Sequence, residues 1–513
     1  MKIYLLILSF LVPTTLFTNY VMNQYYGVGS GVCDVGWFTF LMTQTDSWPL
    51  LNPLAGLLDE SYFSTHLSLF YYPLSFLYSF VEDFVSPPLY YSLFIGSMYG
   101  LISLAVFVAG LRLLPNSTFL SLLLLCVIAI LTSMNGAALG LIGFPHIEIA
   151  IPALMLLFIS LYFSGYVKSS YIVFLMLLTI REDAGFHLFG LLSIVLLSMY
   201  VMTRDKKSLP KELIAVALVG LIYSFSVIYL QKTFYPGDNA LERIYLGKPH
   251  FAHLTADFIS GRIQFILTDR AYLYIPLFFT ILMAFVSRNI FLLSSFIATL
   301  PWLFLSLIAI SSMPGHLSNY YAFPFITALS WPMFAYLIAH RVNPQSMVSY
   351  KKIIVSVALI TGSSIILFPG NRQNFDTKPW EKFDFAYLST MSSSDQFVSA
   401  LSKHKSDFGD ILFDEPLAAL MVETLTKDEY GYINDFFDYQ IEEADTVIFN
   451  MSSLEALRGI LDQRQLHVVY RVRGTDIVIA TDKRFRMDPL SAEIDLKKIT
   501  LGYPKEINTQ IAL

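Results

Sequence analysis

Charge is scarce in this sequence. Only 14% of its 513 residues are Asp, Glu, Lys or Arg, against about 25% in a typical soluble protein, and that deficit excludes a wholly soluble globular chain. There is no basic tract, and the formal net charge is -6, which argues against a nucleic-acid partner. Two cysteines, Cys33 and Cys126, are too few for a disulfide framework, and Cys126 lies inside an apolar run. No internal repeat, low-complexity tract or nucleotide-binding glycine loop is present. What is abundant is apolar surface: 55% hydrophobic residues, with 43 Phe and 31 Tyr, and a mean hydropathy of +0.58. Aromatics in such numbers suit segments that meet two lipid–water interfaces.

The composition implies a polytopic α-helical membrane protein. Apolar segments of spanning length fall near 3–21, 87–111, 117–133, 146–164, 169–180, 184–202, 212–231, 272–287, 289–310, 320–340 and 351–369, giving about eleven spans across a bilayer of about 30 Å. The first reads as an uncleaved span, since it carries one lysine and no small-x-small cleavage site. The apolar stretch 63–80 is a twelfth span or an interfacial helix. Leaving it out places Arg112, Lys168, Arg204 to Lys211, Arg288 and His340 to Lys352 on one side, with only Arg181 in the short loops opposite. That is the positive-inside pattern. It predicts a protein of the cytoplasmic (inner) membrane with its N-terminus cytoplasmic and its C-terminus extracytoplasmic.

From about Asn371 the composition becomes that of a soluble protein. Gly409–Phe413, Ala444–Phe449, Leu466–Tyr470 and Asp476–Ala480 read as short strands, and Leu417–Leu425 and Ser452–Leu461 as helices. The expected organisation is a membrane domain over 1–370, with a long first outer loop at 22–86, and an extracytoplasmic α/β domain over 371–513.

The ionisable residues gather on the predicted outer face. Asp34 stands in GSGVCDVGWF and His66 in FSTHLSLFYYP. GFPHIEIA carries His146 and Glu148, and TIREDAGFH carries Arg181, Glu182, Asp183 and His187. The loop before 272 holds Asp238, Glu242, Arg243, Lys248, His250, His253, Asp257, Arg262, Asp269 and Arg270, and MPGHLSNYY holds His316. Charged groups at the lip of a membrane domain are costly unless paired, wet or functional. Each also has a duller reading. Asp34 caps a helix starting at Val35, His66 and His316 are interface anchors, and Glu182–Asp183 cap span six. His146 and Glu148, two apart, diverge on a helix and make a poor metal pair. Taken together, five loops supplying acids and imidazoles to one face suit transfer from a lipid-borne donor. A carboxylate acts as general base on an acceptor hydroxyl, and Arg181, Arg243, Arg262 and Arg270 hold a phosphate leaving group.

The motifs CDVGWF, DESYFSTHLSLFYYPL, FPHIEIAIP, TIREDAGF and HLSNYYAFPFI resemble those of the GT-C superfamily of membrane glycosyltransferases. They are closest to the uncharacterised membrane family called domain of unknown function 2079, over most of residues 25–340. The resemblance implies a polyprenyl-phosphate-linked sugar donor, an envelope lipid, glycan or protein acceptor, Asp34 as general base, and Glu182–Asp183 as a second acidic group. His66, His146, Glu148, His316 and the four arginines would then contact substrate. Two departures stand out. Cys33-Asp34-Val35-Gly36 replaces an aromatic-Asp-Leu-Gly run, and Arg181 replaces a lysine before Glu-Asp. A divalent cation is left open by the resemblance. The alternatives are a transporter or flippase of lipid-linked envelope precursors, and a non-catalytic scaffold or sensor working through the C-terminal domain.

Overall fold

The computed structural model describes residues 1–26, 32–43, 47–51, 61–114, 118–237, 241–343, 350–369, 383–414, 417, 420, 430–433, 445–463, 466, 468–481 and 488–499. By packing, the chain forms two compact units. One comprises Met1–Met22 with Phe38–Asp384, the other Asn23–Trp37 with Phe385–Leu513.

The helices begin with α1 (Lys2–Tyr26) and α2 (Val32–Thr43), each shared between the two units, and continue in the larger unit with α3 (Tyr71–Tyr78), α4 (Pro87–Leu113), α5 (Phe119–Ser133) and α6 (Gly136–Ile142). It continues with α7 (Ala150–Ser164), α8 (Val167–Ile180), α9 (Ala184–Thr203), α10 (Lys211–Phe234), α11 (Ala256–Asp269) and α12 (Ala271–Ser287). The last are α13 (Phe291–Ile308), α14 (Ser312–Gly315), α15 (Phe323–Leu329), α16 (Pro332–Val342), α17 (Tyr350–Val357) and α18 (Ser363–Ile366). Helix ends follow local chemistry. Pro87 and Pro88 open α4 where no intrahelical N–H is needed. The Thr118 hydroxyl accepts from Ser121 N at the start of α5. Gly165, at φ 96°, closes α7 in the left-handed region.

Among the described residues, six helices are long and apolar enough to cross a membrane: α1, α4, Ile147–Ser164, α9, α10 and α13. Three bent pairs raise this to nine: α5 with α6 at 51°, α11 with α12 at 82°, and Tyr320–Leu329 with α16 at 43°. The expected eleven spans are therefore not all reproduced. The fourteen residues of α8 rise only about 21 Å. The expected last span is divided into α17, a π turn at Ala358–Gly362, and α18. Within 63–80 the only α-helix is the eight-residue α3, about 12 Å long and short of a bilayer.

Breaks in apolar helices free backbone groups that lipid cannot satisfy, and side chains cover these. Asn135 Oδ1 accepts from Ala137 N and Ala138 N, both at 3.1 Å, and its Nδ2 donates to Ser330 Oγ at 3.1 Å. Gly136 N donates to Ser364 Oγ at 2.9 Å, and Thr361 Oγ1 to Leu329 O at 2.9 Å. The break between α5 and α6 is thus tied to the break before α16 and to the last helical segment.

The second unit contains α19 (Leu388–His404) and a six-stranded sheet: β1 (Ile411–Asp414), β2 (Tyr430–Ile433), β3 (Thr446–Asn450), β4 (Val468–Val472), β5 (Ile477–Thr481) and β6 (Leu496–Ile499). The order is β2-β1-β3-β5-β4-β6. β2, β1 and β3 run parallel, and the remaining neighbours are antiparallel. Leu412, Val447, Phe449, Val469 and Val478 pack with Leu457 and Leu461 of the helix Leu454–Gln463 in one core. Four strands lie where the sequence places them. β2 and β6 were not expected, and most of 417–425 lies outside the described residues.

Candidate functional site

The centre of the site is the turn between α8 and α9. α8 stops at Ile180 because Arg181 takes an extended conformation, φ −160° and ψ 156°. α9 restarts at Ala184. One residue into α9, Gly185 lies against α10 so closely that a Cβ there would meet Gly220 O at 2.1 Å. Only glycine admits this approach, and it fixes the origin of α9, which carries His187. The side chains of Glu182 and Asp183 do not cap α9: Asp183 makes no side-chain cap bond, and both carboxylates turn elsewhere.

Arg181 is saturated by acids. Its Nε donates to Asp183 Oδ1 at 2.7 Å, its Nη2 to Asp183 Oδ2, and its Nη1 to Glu148 Oε1. Burial alone would lower the guanidinium's pKa; the Asp183 carboxylate, followed by Glu182, reverses this and holds it above the arginine range. Asp183 shows the converse balance. Burial would raise its pKa, but the charge of Arg181, the nearby His187 ring and the hydrogen bonds from Arg181 hold it well below the usual carboxylate range.

Three imidazoles surround these charges. His66 Nδ1 lies 2.9 Å from Glu182 Oε1, and Leu67 N donates to Glu182 Oε2 at 3.0 Å. The segment carrying His66 is held by Phe70 N on Thr179 O at 3.0 Å and by Gln231 Nε2 on Phe63 O at 3.0 Å. His146 Nδ1 abuts the fully buried Glu148 carboxylate. This corrects the expected divergence of the pair. His146 is extended, φ −130° and ψ 147°, with Glu148 in a 3-10 turn just beyond it, so the helical spacing rule does not apply. His146 stacks on Tyr320 at 4.1 Å and meets Phe38 edge-on at 4.4 Å. His187 Nε2 stands 3.6 Å from Asp183 Oδ2, and its ring stacks on Trp302 at 3.9 Å. The assembly therefore joins His66, His146, Glu148, Arg181, Glu182, Asp183 and His187, with three carboxylates set against one guanidinium.

His187 also lines a narrow cleft between α7, α9, α13 and α15. Its walls include Ile151, Met155, Leu191, Ser295 and Trp302. The sequence pattern named His187 as one of many ionisable residues; its place at both cluster and cleft comes from the α9 helical register.

Other expected site residues lie apart in role. Arg262, buried on α11, donates from Nη1 and Nη2 to the carbonyls of Ala309, Ile310, Ser311 and Ser312, at 3.1–3.5 Å. In this structure it clamps the backbone that follows α13. Arg270 donates to His316 O at 2.9 Å and to Ser318 Oγ at 3.0 Å. His316 stacks on Phe265 at 3.8 Å, and burial followed by the charges of Arg262 and Arg270 lowers its pKa. Arg243 is exposed on a π-helical turn, Glu242–Leu246. α2 begins at Val32, so Asp34 lies within the helix rather than capping one at Val35; its side chain is outside the described residues, as is Asp238. Among the described residues, no group of three His, Cys, Asp or Glu side chains has a geometry that could hold a metal ion. No protein-family model, curated protein or solved structure matches the chain.

Proposed function

We propose that the chain is a membrane glycosyltransferase that moves a sugar from a polyprenyl-phosphate donor to an envelope acceptor, outside the cytoplasmic membrane. The observation that carries this reading is the buried cluster around Arg181, in which separate segments deliver acids and imidazoles beside an apolar cleft within a helical membrane unit. Ionisable groups buried within a membrane protein mark function more often than packing. The motif resemblance to the GT-C superfamily supports the same chemistry, with Asp34 as general base and Glu182–Asp183 as the second acidic group. In the reaction, the acceptor hydroxyl attacks the anomeric carbon as a carboxylate takes its proton. The bond to the lipid phosphate breaks, and the phosphate leaves with the electron pair. Arg181 positions Glu148 and Asp183. The exposed Arg243 is the cation assigned to the departing phosphate.

A second reading, a transporter of lipid-linked material, is favoured by one feature: the broken helices α5/α6 and α15/α16 tied together through Asn135 and Ser330. Broken helices line the binding sites of many transporters. Glycan and lipid mass profiles of cells lacking the gene separate the two. Loss of one sugar from one envelope component, restored by the intact gene, supports the transferase. Accumulation of an intact lipid-linked precursor supports the transporter. No change in either overturns both.

A further inference from the structure

α11 meets α12 at 82°, with only Arg270 between them. α12 holds no Asp, Glu, Lys or Arg, and its seventeen residues rise about 25 Å, near the lower limit for one membrane crossing. Its Phe278, Ile281, Phe285 and Val286 are exposed, as on a helix that faces lipid. A helix almost at right angles to such a crossing runs along the membrane surface. α11 is also held firmly in that direction. Arg262 grips the carbonyls of Ala309 to Ser312, Phe265 stacks on His316 at 3.8 Å, and Arg270 Nε donates to His316 O at 2.9 Å. Ile310 N and Ser311 N of the gripped segment donate in turn to Tyr245 O and Ile244 O, at 3.3 and 3.0 Å.

The face of α11 turned away from these contacts divides in two. At 3.6 residues per turn, Ile259, Ile263 and Leu267 form one row, with Ile263 44% and Leu267 52% exposed. Asp257, Gly261, Gln264 and Thr268 form the next row, and all four are exposed. A helix crossing lipid is apolar over its whole outer arc, and one standing in water is polar over it. An outer arc split between the two fits a helix lying in the boundary. We infer that α11 lies in the plane of the membrane and that α12 crosses alone. The row Ile259, Ile263 and Leu267 then sits in lipid, and the row Asp257, Gln264 and Thr268 in water. The occupant of the apolar row is the bilayer itself. α12 enters the membrane one residue after α11 ends, and three aliphatic side chains fall far short of the roughly 800 Å² that each partner gives a stable protein interface. The placement of α11 holds whether or not the chain transfers a sugar.

The test uses the full chain in phosphatidylcholine–phosphatidylglycerol nanodiscs, with Cys33→Ser and Cys126→Ser removing the native thiols. Spin labels are attached one at a time to Ile259→Cys, Ile263→Cys, Leu267→Cys, Asp257→Cys, Gln264→Cys and Thr268→Cys. Collisions are read with oxygen, which concentrates in lipid, and with a water-soluble nickel chelate. Phe285→Cys on α12 and Lys206→Cys in an exposed connection give the lipid and water references. The three apolar positions are expected to match the lipid reference and the three polar positions the water reference, so that the oxygen-to-nickel ratio changes several-fold between neighbouring rows and repeats with the turn of the helix. A lipid-like ratio on both rows would overturn the inference, because α11 would then cross the membrane with α12. A water-like ratio on both would overturn it by placing α11 clear of the bilayer. Immobile labels on the apolar row, closed to both reagents, would mark a protein contact and overturn it too. No outcome depends on turnover, so failure here is distinct from failure of the transferase reading.

Discussion

Replacing Arg181 by Gln removes a guanidinium bonded to both Glu148 and Asp183. Glu148 is fully buried and Asp183 mostly so, so the change leaves two desolvated carboxylates close together without their counter-charge. Breaking a buried pair in this way costs about 3–5 kcal/mol, which lowers the melting temperature of the purified protein by roughly 3–6 °C for a chain of this size. The pH dependence has a definite sign. In the native protein the pKa of Asp183 is held below its unfolded value, so its contribution to stability is full above about pH 4 and is lost as pH falls towards the folded value. Without Arg181, burial dominates and raises that pKa above the unfolded value, so the variant becomes less stable as pH rises. The gap between Arg181→Gln and the native protein is therefore expected to be wide at pH 8 and to narrow towards pH 5. Arg181→Lys, keeping the charge but losing the two-pronged geometry, recovers only part. Differential scanning fluorimetry in detergent across that pH range makes the measurement. A variant melting within about 2 °C of the native protein at pH 8 would show that the cluster does not depend on Arg181.

Three further outcomes are expected. Asp34→Asn abolishes sugar transfer while membrane insertion and yield stay normal, checked by activity and by quantifying protein in the membrane fraction; full activity removes Asp34 as the base. In the second unit, burial pushes the Asp414 carboxyl up to about 6, against the bonds it accepts from Asn450 N and Ser453 Oγ. Its raised pKa means that stability falls as pH rises from about 4 through 6, by about 3 kcal/mol, and Asp414→Asn flattens that slope, read by hydrogen exchange in β1 of the whole chain. Gly315→Ala lowers the melting temperature by about 2–4 °C, because a Cβ there would meet Arg262 Cζ at 2.4 Å and push the clamp off its carbonyls.

Much of the architecture is legible from sequence because apolar runs and strand-like alternation are local signals. α4, α9, α10 and α13 fall within a few residues of the expected segments, as do β1, β3, β4 and β5. The bend at Ser330–Trp331 escapes notice because it lies inside an apolar run, whereas α11, which turns 82° from α12 at Arg270, escapes it because its charges read as a loop. The site divides in the same way. TIREDAGFH and FPHIEIA reveal their charges at once, but pairing is a tertiary fact. The contact of His66 with Glu182 spans 116 positions, and the saturation of Arg181 follows from where the turn at Glu148 lands. Arg262 and Glu148 carry no mark in the sequence that separates a backbone clamp from a site residue.

The measurement that bears most directly on transferase activity uses lipid-linked sugars together with the envelope lipids, glycans and proteins extracted from the same cells as acceptors, incubated with the reconstituted protein and with Glu182→Gln, which removes the charge paired with His66. Mass spectrometry is expected to show one polyprenyl-phosphate-linked sugar consumed and free polyprenyl phosphate appearing with the native protein only. No consumption of any lipid-linked sugar by the native protein, or equal consumption by Glu182→Gln, would contradict a transferase working through this cluster.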